Sequence, residues 1–172
     1  MRQDEIQVRQ ARVEDAAGLA AAQRQIAQVP GRLASTPAEI LDAALAERIA
    51  RLASCPTGTF VVAEVAGQIV GHALLDPLKL AVTAHVVDLT IAVHEGHQGQ
   101  GVGRRLLSHL LDWARDNPRV ARVELRVRSA NTRAIALYRS LGFVEEGRMR
   151  RRIQIAPGQY LDDLVMGLWV GD

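Results

Sequence analysis

Apolar and polar positions alternate from Ala84 to Val93, so that Val87, Leu89, Ile91 and Val93 share one face and Val86, Asp88, Thr90 and Ala92 the other. That period predicts a sheet strand buried on both sides and carrying one acid. After a polar, Gly-rich stretch from His94 to Gln100, the apolar residues Val102, Leu106, Leu110 and Trp113 recur at helical spacing until Asn117-Pro118. Val120 to Val127 alternates again, and Asn131 can cap a helix that ends near Leu141 with Gly142 in a left-handed conformation. Upstream, Glu5 to Arg9 reads as a strand and Ala11 to Gln28 as a helix. Val29-Pro30-Gly31 breaks that helix, and Ser35-Thr36-Pro37 with Glu39 starts a second one running to Ala53. Thr59 to Val65 and Ile69 to Leu75 form a hairpin through Ala66-Gly67-Gln68, and two further strands flank Ala156-Pro157-Gly158 near the end.

A strand, a Gly-rich loop, a helix and a strand in succession form a crossover, which needs parallel neighbours, whereas the hairpins need antiparallel ones. The sheet is therefore expected to be mixed. A chain of 172 residues, 48% hydrophobic and 23% charged, fits a single globular domain spanning 1–172. One cysteine, Cys55, cannot make an internal disulfide or a four-thiolate zinc site. Met1 to Gln10 lacks the apolar core of a signal peptide and no apolar run is long enough to span a bilayer, so a cytoplasmic protein with no membrane partner is expected.

The net charge of +2 comes from a chain whose one lysine is Lys79, and the dense basic run Arg148 to Arg152 holds no aromatic to stack on a base. That run reads as a solvated strand, and no nucleic-acid partner is expected. His94-Glu95-Gly96-His97 has neither the spacing nor the helix of a zinc-protease site, so no metal is expected either. His72 and His85 read as structural residues on strands and His109 as a surface residue.

The segment with chemistry is Gln98-Gly99-Gln100-Gly101-Val102-Gly103-Arg104, between a strand and a helix. Alternate glycines leave amide groups uncovered, and the helix start adds unpaired N–H groups and a positive dipole end. Taken alone the pattern fits either a phosphate cradle or a tight strand-to-helix turn. A Walker loop needs Gly-Lys-Ser or Gly-Lys-Thr, but Gly103 is followed by Arg104-Arg105. A dinucleotide fingerprint fails in both registers, at Arg104 and at Leu106. Gln98, Gly101 and Gly103 do fit the Gln/Arg-x-x-Gly-x-Gly/Ala signature, and the chain thereby resembles the GCN5-related N-acetyltransferases over nearly its whole length. Asn131, Ala134 and Tyr138, spaced to share one helix face, followed by Leu141-Gly142-Phe143, reproduce a second pattern of that family. Outside it, Asn131 reads as a helix cap and Tyr138 as a core aromatic.

The resemblance implies an α/β (α+β) fold: a mixed, mostly antiparallel twisted sheet of about seven strands with four helices, splayed at strands four and five. It implies acetyl-CoA as cosubstrate, held by Gln98 to Arg104, by the backbone at Ile91, Ala92 and Val93, and by Asn131, Ala134 and Tyr138. Val93 N–H is the candidate donor to the oxygen that becomes negative, and Tyr138 is the candidate hydroxyl donor to the leaving thiolate. Asp88 is either a base acting through water, since it stands about 10 Å from Ile91 along the strand, or a partner of an arginine or of a cationic acceptor. The resemblance is strongest to bacterial enzymes that acetylate small amines or amino acids. A ribosomal-protein N-terminal acetyltransferase and a non-catalytic acyl-CoA sensor stand as alternatives, and a homodimer is compatible with each.

Overall fold

The computed structural model describes residues 6–171, so Glu5 of the first expected strand lies outside the described residues. Seven strands form one sheet: β1 (Gln7–Gln10), β2 (Thr59–Val65), β3 (Gln68–Pro77), β4 (Val86–Val93), β5 (Arg122–Arg128), β6 (Val144–Ala156) and β7 (Gln159–Trp169). Their spatial order is β1-β2-β3-β4-β5-β7-β6, with every neighbouring pair antiparallel except β4 and β5. Four α-helices accompany them: α1 (Ala16–Ala27), α2 (Asp42–Ala53), α3 (Val102–Asp116) and α4 (Thr132–Ser140).

Alternation along the strands divides the core into two layers. Ala73, Leu75, Val87, Val123 and Leu125 pack with Leu106, Leu107, Leu110 and Leu111 of α3 and Ile135 of α4. On the opposite face Phe60, Val62 and Leu74 pack with Leu19 and Ala20 of α1 and Leu45, Ile49 and Leu52 of α2. Covering the sheet on both sides removes the apolar stripe of each helix from water, the dominant favourable term in folding.

The two N-terminal helices are shorter than their patterns suggest. Val13–Asp15 is a separate 3-10 turn before α1, and Pro37–Glu39 is another before α2. Glu39 accepts hydrogen bonds from Thr36 N and Oγ1, both at 2.7 Å, which closes a one-turn cap. Ile40 then leaves the helical region with ψ 99°. Its carbonyl accepts from Arg24 Nη1 at 2.9 Å, so α2 restarts at Asp42. β3 runs through Pro77 rather than ending before it, and His85 precedes β4 instead of lying on a strand. The turn at Ala66-Gly67 has both residues at positive φ, 49° and 78°, the conformation a two-residue hairpin needs. Arg148 to Arg152 is exposed on β6, where the register slips between Met149 and Ile153 and Arg151 adopts φ 51°.

Candidate active site

The parallel pair is short. β4 and β5 are in register only from Val86↔Arg122 to Asp88↔Glu124, although β4 continues to Val93 and β5 to Arg128. Beyond Asp88 the two strands part. β4 stays paired with β3 along Pro77↔Val87 to Gly71↔Val93, and β5 stays paired with β7 along its full length.

The parity of the β3–β4 ladder decides which backbone groups face the gap. Leu78 N donates to Val86 O at 3.1 Å and His94 N donates to Val70 O at 2.9 Å, so the even-numbered residues of β4 bond toward β3. The amides of Ile91 and Val93 therefore point the other way, into the opening left by β5. Val93 O accepts from Gln98 Nε2 at 3.3 Å, which ties the Gly-rich loop to the strand end. Gln100 Nε2 donates to Gly96 O at 2.8 Å and braces the loop from the other side.

Gly99 and Gly101 sit at φ 80° and 90°, where a side chain is strained, and Gly101 caps α3. Arg105 N donates to Gly101 O at 3.0 Å, so the amides of Val102, Gly103 and Arg104 have no partner within the helix. Successive free amides at a helix start form an anion cradle. A methyl group added at Gly99 would collide with Arg133 Nη2, so the Arg133 side chain lies directly over the loop. Arg104 Nη2 donates to Ser140 Oγ at 3.0 Å, tying the start of α3 to the end of α4. Two guanidinium groups and a run of amides thus converge at the Gly-rich loop.

A cavity of about 900 Å³ connects this cradle to the gap between β4 and β5. Among the expected residues, Ile91, Ala92, Val93, Gln98, Gly99, Gly101, Gly103, Arg104, Asn131, Ala134 and Tyr138 line it. Gln100 and Val102 do not. Val102 turns its side chain into the core, leaving its amide to the loop. Asn131 Oδ1 accepts from Ala134 N at 3.2 Å, so it is a helix cap and also a wall of the cavity, with its side-chain amide left over. Asp88 lies outside the lining. It is four residues from Ala92 on the same face, about 13 Å along the strand. Its carboxylate accepts from Arg126 Nη2 at 3.3 Å, and burial raises its pKa.

Tyr138 packs edge-on against Phe143, with ring centroids 5.8 Å apart, and is 6% exposed. Its hydroxyl makes no hydrogen bond to any described residue, and burial alone pushes its pKa up to about 12. The other end of the cavity is roofed by the α1–α2 connection. Gly31 O accepts from Arg128 Nε at 2.8 Å, Arg32 is ion-paired with Glu95, and Leu161 of β7 closes the side.

A model described as the acetyltransferase (GNAT) family matches residues 30–143. The chain belongs to that family. It is 40% identical over 101 residues to N-alpha-acetyltransferase RimI of Mycobacterium tuberculosis, a match spanning 59% of this chain and 61% of that protein. It is 32% identical over 116 residues to the L-amino acid N-acetyltransferase AaaT of Escherichia coli, spanning 67% and 71%. The structure of yncA from Salmonella typhimurium, described as a putative acetyltransferase with its cofactor acetyl-CoA, superposes with a TM-score of 0.85 at 26% identity, covering 98% of this chain and 95% of that one.

Within this GNAT chain, the family match ends at Phe143 and so leaves out β6 and β7, from which Leu161 and Asp163 reach the roofed end. Sequence patterns do not mark Gly31, Arg32, Arg128, Arg133 or Leu161, because their partners are remote in the chain. Beside the cavity a chain of imidazoles joins three elements. His94 Nδ1 lies 3.1 Å from Ile69 O, which fixes its proton there. His94 Nε2 then accepts from His72 Nδ1 at 3.1 Å, and His72 Nε2 accepts from Gln23 Nε2 at 2.9 Å. His72 is 1% exposed, and burial pulls its pKa down to about 3, so it is neutral. Among the described residues, no group of three or more His, Cys, Asp or Glu is arranged to hold a metal ion.

Proposed function

We propose that the protein is an N-acetyltransferase that moves the acetyl group of acetyl-CoA to a primary amine of a small molecule or amino acid, within a ternary complex. The observation that carries this reading is the single cavity running from the anion cradle at Gly99 to Arg104 through the parted strands to the roof at Gly31. The cradle fits a pyrophosphate, since uncovered amides and two arginines meet it without a metal.

Acetyl-CoA supplies the acyl group as a thioester, so the amine's lone pair forms the C–N bond as the C–S bond breaks and the electron pair leaves on sulfur. The chain's residues meet the three needs of that transfer. Ile91 and Val93 N–H face the gap and can donate to the carbonyl oxygen as it gains charge. Tyr138 brings a hydroxyl with no internal partner to the same cavity, where it can donate to the departing sulfur. The one carboxylate lining the cavity among the described residues, Glu95, is engaged by Arg32, so the proton shed by nitrogen goes to water. Asp88 can receive it only along a water chain.

The roof favours a small acceptor over a protein terminus. The Arg32–Glu95 pair and the Arg128–Gly31 hydrogen bond draw the α1–α2 connection against β5 and the Gly-rich loop at this end of the cavity, which supports a compact acceptor. The test is release of free thiol from acetyl-CoA on adding amines, amino acids and a peptide with a free N-terminal alanine. Release with small amines or amino acids is expected. Release with the peptide alone would place the protein with N-terminal acetyltransferases, and acetyl-CoA binding without release from any acceptor would make it a sensor.

A further inference from the structure

We propose that Arg128 is the anchor for a carboxylate on the acetyl acceptor, so that the amine acetylated belongs to an amino acid with an apolar side chain. This rests on the acetyltransferase reading and names the acceptor class within it. Arg128 ends β5, and the register of the parallel pair, carried on at the same offset, puts it level with Ala92 across the gap and on the same sheet face. It therefore stands opposite the stretch of β4 whose amides face the opening.

The guanidinium is held on two sides. Its Nε donates to Gly31 O at 2.8 Å and its Nη1 donates to Asp163 Oδ1. Asp163 is 4% exposed and Arg128 15%, counting side chains only. Nη2 has no partner among the described residues, and Arg128 lines the cavity. A fork fixed at Nε and Nη1 with one nitrogen left over is pre-organised for an anion, because it loses little conformational freedom on binding. Stability alone gives a poor account of the pair, since a buried Arg–Asp pair is often no better than apolar residues of the same volume.

Charge at this end of the cavity also discriminates. Arg104 and Arg133 belong to the anion cradle. Arg32 and Arg128 are each paired with a carboxylate, but the Arg32 side chain is 49% exposed whereas that of Arg128 is 15% exposed, so Arg128 is the one held in place inside the site. No free carboxylate among the described lining residues could receive the second cation of a polyamine. The remaining walls at this end are Ile26, Leu33 and Leu161, which suit an apolar side chain.

The experiment measures thiol release with leucine, valine, methionine and phenylalanine, each beside its amide and its decarboxylated amine, and with spermidine. In the wild-type protein kcat/KM for the best amino acid should exceed that for its amide and its amine by about 10- to 100-fold, the range of one charge-assisted interaction, carried mainly by KM. Arg128→Gln should narrow that ratio below about threefold, and Arg128→Lys should restore part of it. Acetyl-CoA affinity, measured directly, reports whether each variant is folded. Should the orphaned Asp163 unfold Arg128→Gln, the Arg128→Gln/Asp163→Asn double variant removes the unpaired charge and carries the same test. Equal use of acid, amide and amine by the wild type, or an unchanged ratio in a folded variant, overturns the anchor. Turnover of spermidine or a peptide but of no amino acid overturns it too, while leaving the acetyltransferase reading intact. Acetyl-CoA binding with no thiol release from any amine overturns that reading and this inference with it.

Discussion

Replacing Tyr138 by Phe removes one hydroxyl and keeps the ring that packs against Phe143. The size of the effect follows from the burial that pushes the phenol up to about 12. A thiol of ordinary pKa, near 8.5, is then the stronger acid by about 3.5 units, so complete proton transfer from Tyr138 to the leaving sulfur would be uphill by about 5 kcal/mol. In the proposed transfer the hydroxyl therefore acts as a hydrogen-bond donor that keeps its proton. A hydrogen bond to a charged acceptor is worth about 1.5 to 3 kcal/mol, which is about 10- to 150-fold in rate. Turnover of Tyr138→Phe should fall by that factor, the acetyl-CoA dissociation constant should change less than about twofold, and the thermal midpoint should hold. Steady-state thiol release with saturating acceptor, beside titration calorimetry with acetyl-CoA, separates the two quantities. Below pH 10 the alkaline side of the kcat profile should look the same in both proteins, because the phenol does not ionise there. Preserved turnover with weakened coenzyme binding would make Tyr138 a packing residue. A wild-type alkaline limb that vanishes in the variant would show that the phenol gives up its proton after all.

A methyl group at Gly103 would meet Leu137 Cδ2 at 3.5 Å and Val93 Cγ2 at 3.7 Å, ordinary contacts, so Gly103→Ala should keep its thermal midpoint yet weaken acetyl-CoA binding about tenfold or more. Gly101→Ala should also lose about 1 kcal/mol of stability, since Gly101 sits at φ 90°; unchanged affinity in both would move the phosphates elsewhere. His72, near 3 when folded and 6.5 when unfolded, binds its proton in the unfolded chain first, so its neutrality costs nothing above pH 6.5 and destabilises progressively from 6.5 down toward 3. Denaturant titrations should show a one-proton slope of about 1.4 kcal/mol per pH unit in that window, which His72→Phe should remove; an identical slope in the variant sinks this assignment. Asp88→Asn should change turnover less than about fivefold, because Asp88 faces Arg126 outside the cavity, and a loss beyond about a hundredfold in a folded protein would establish a water-mediated base.

The readable parts of the site are those whose geometry is local. The bounds of α3 follow from apolar spacing between a left-handed glycine and Asn117-Pro118, and the shared face of Asn131, Ala134 and Tyr138 follows from helical pitch alone. The break before α2 escaped because Arg24 takes the Ile40 carbonyl and Thr36 holds the Glu39 carboxylate, and the break before α1 because Asp15 Oδ2 accepts from Arg12 N at 2.8 Å; propensity decides neither. The acceptor end is unreadable for a stronger version of the same reason. On β5, Arg122, Glu124, Arg126 and Arg128 have the alternation of any solvated sheet face. Only Asp163, 35 residues on, and Gly31, 97 residues back, distinguish Arg128 from its neighbours. Arg133 likewise reads as a surface helix residue until α4 is laid against the loop at Gly99.

The opening of the sheet at β4 and β5 follows from how each strand is otherwise held. Each has a full-length antiparallel partner on its far side, β3 for one and β7 for the other, so parting them breaks neither half of the sheet. The seam is also the one parallel pair, whose strands are joined through α3 and not by a hairpin, so no tight turn forces them together past Asp88. What parting leaves behind is backbone that a sheet would normally satisfy. Gln98 takes up Val93 O, but the amides of Ile91 and Val93 still face the opening. Unpaired donors are costly only when they are also dry, and here they border a cavity of about 900 Å³ that water or a ligand carbonyl can enter. The topology that permits the gap therefore also supplies, without any side chain, the backbone donors that the proposed acyl transfer calls for.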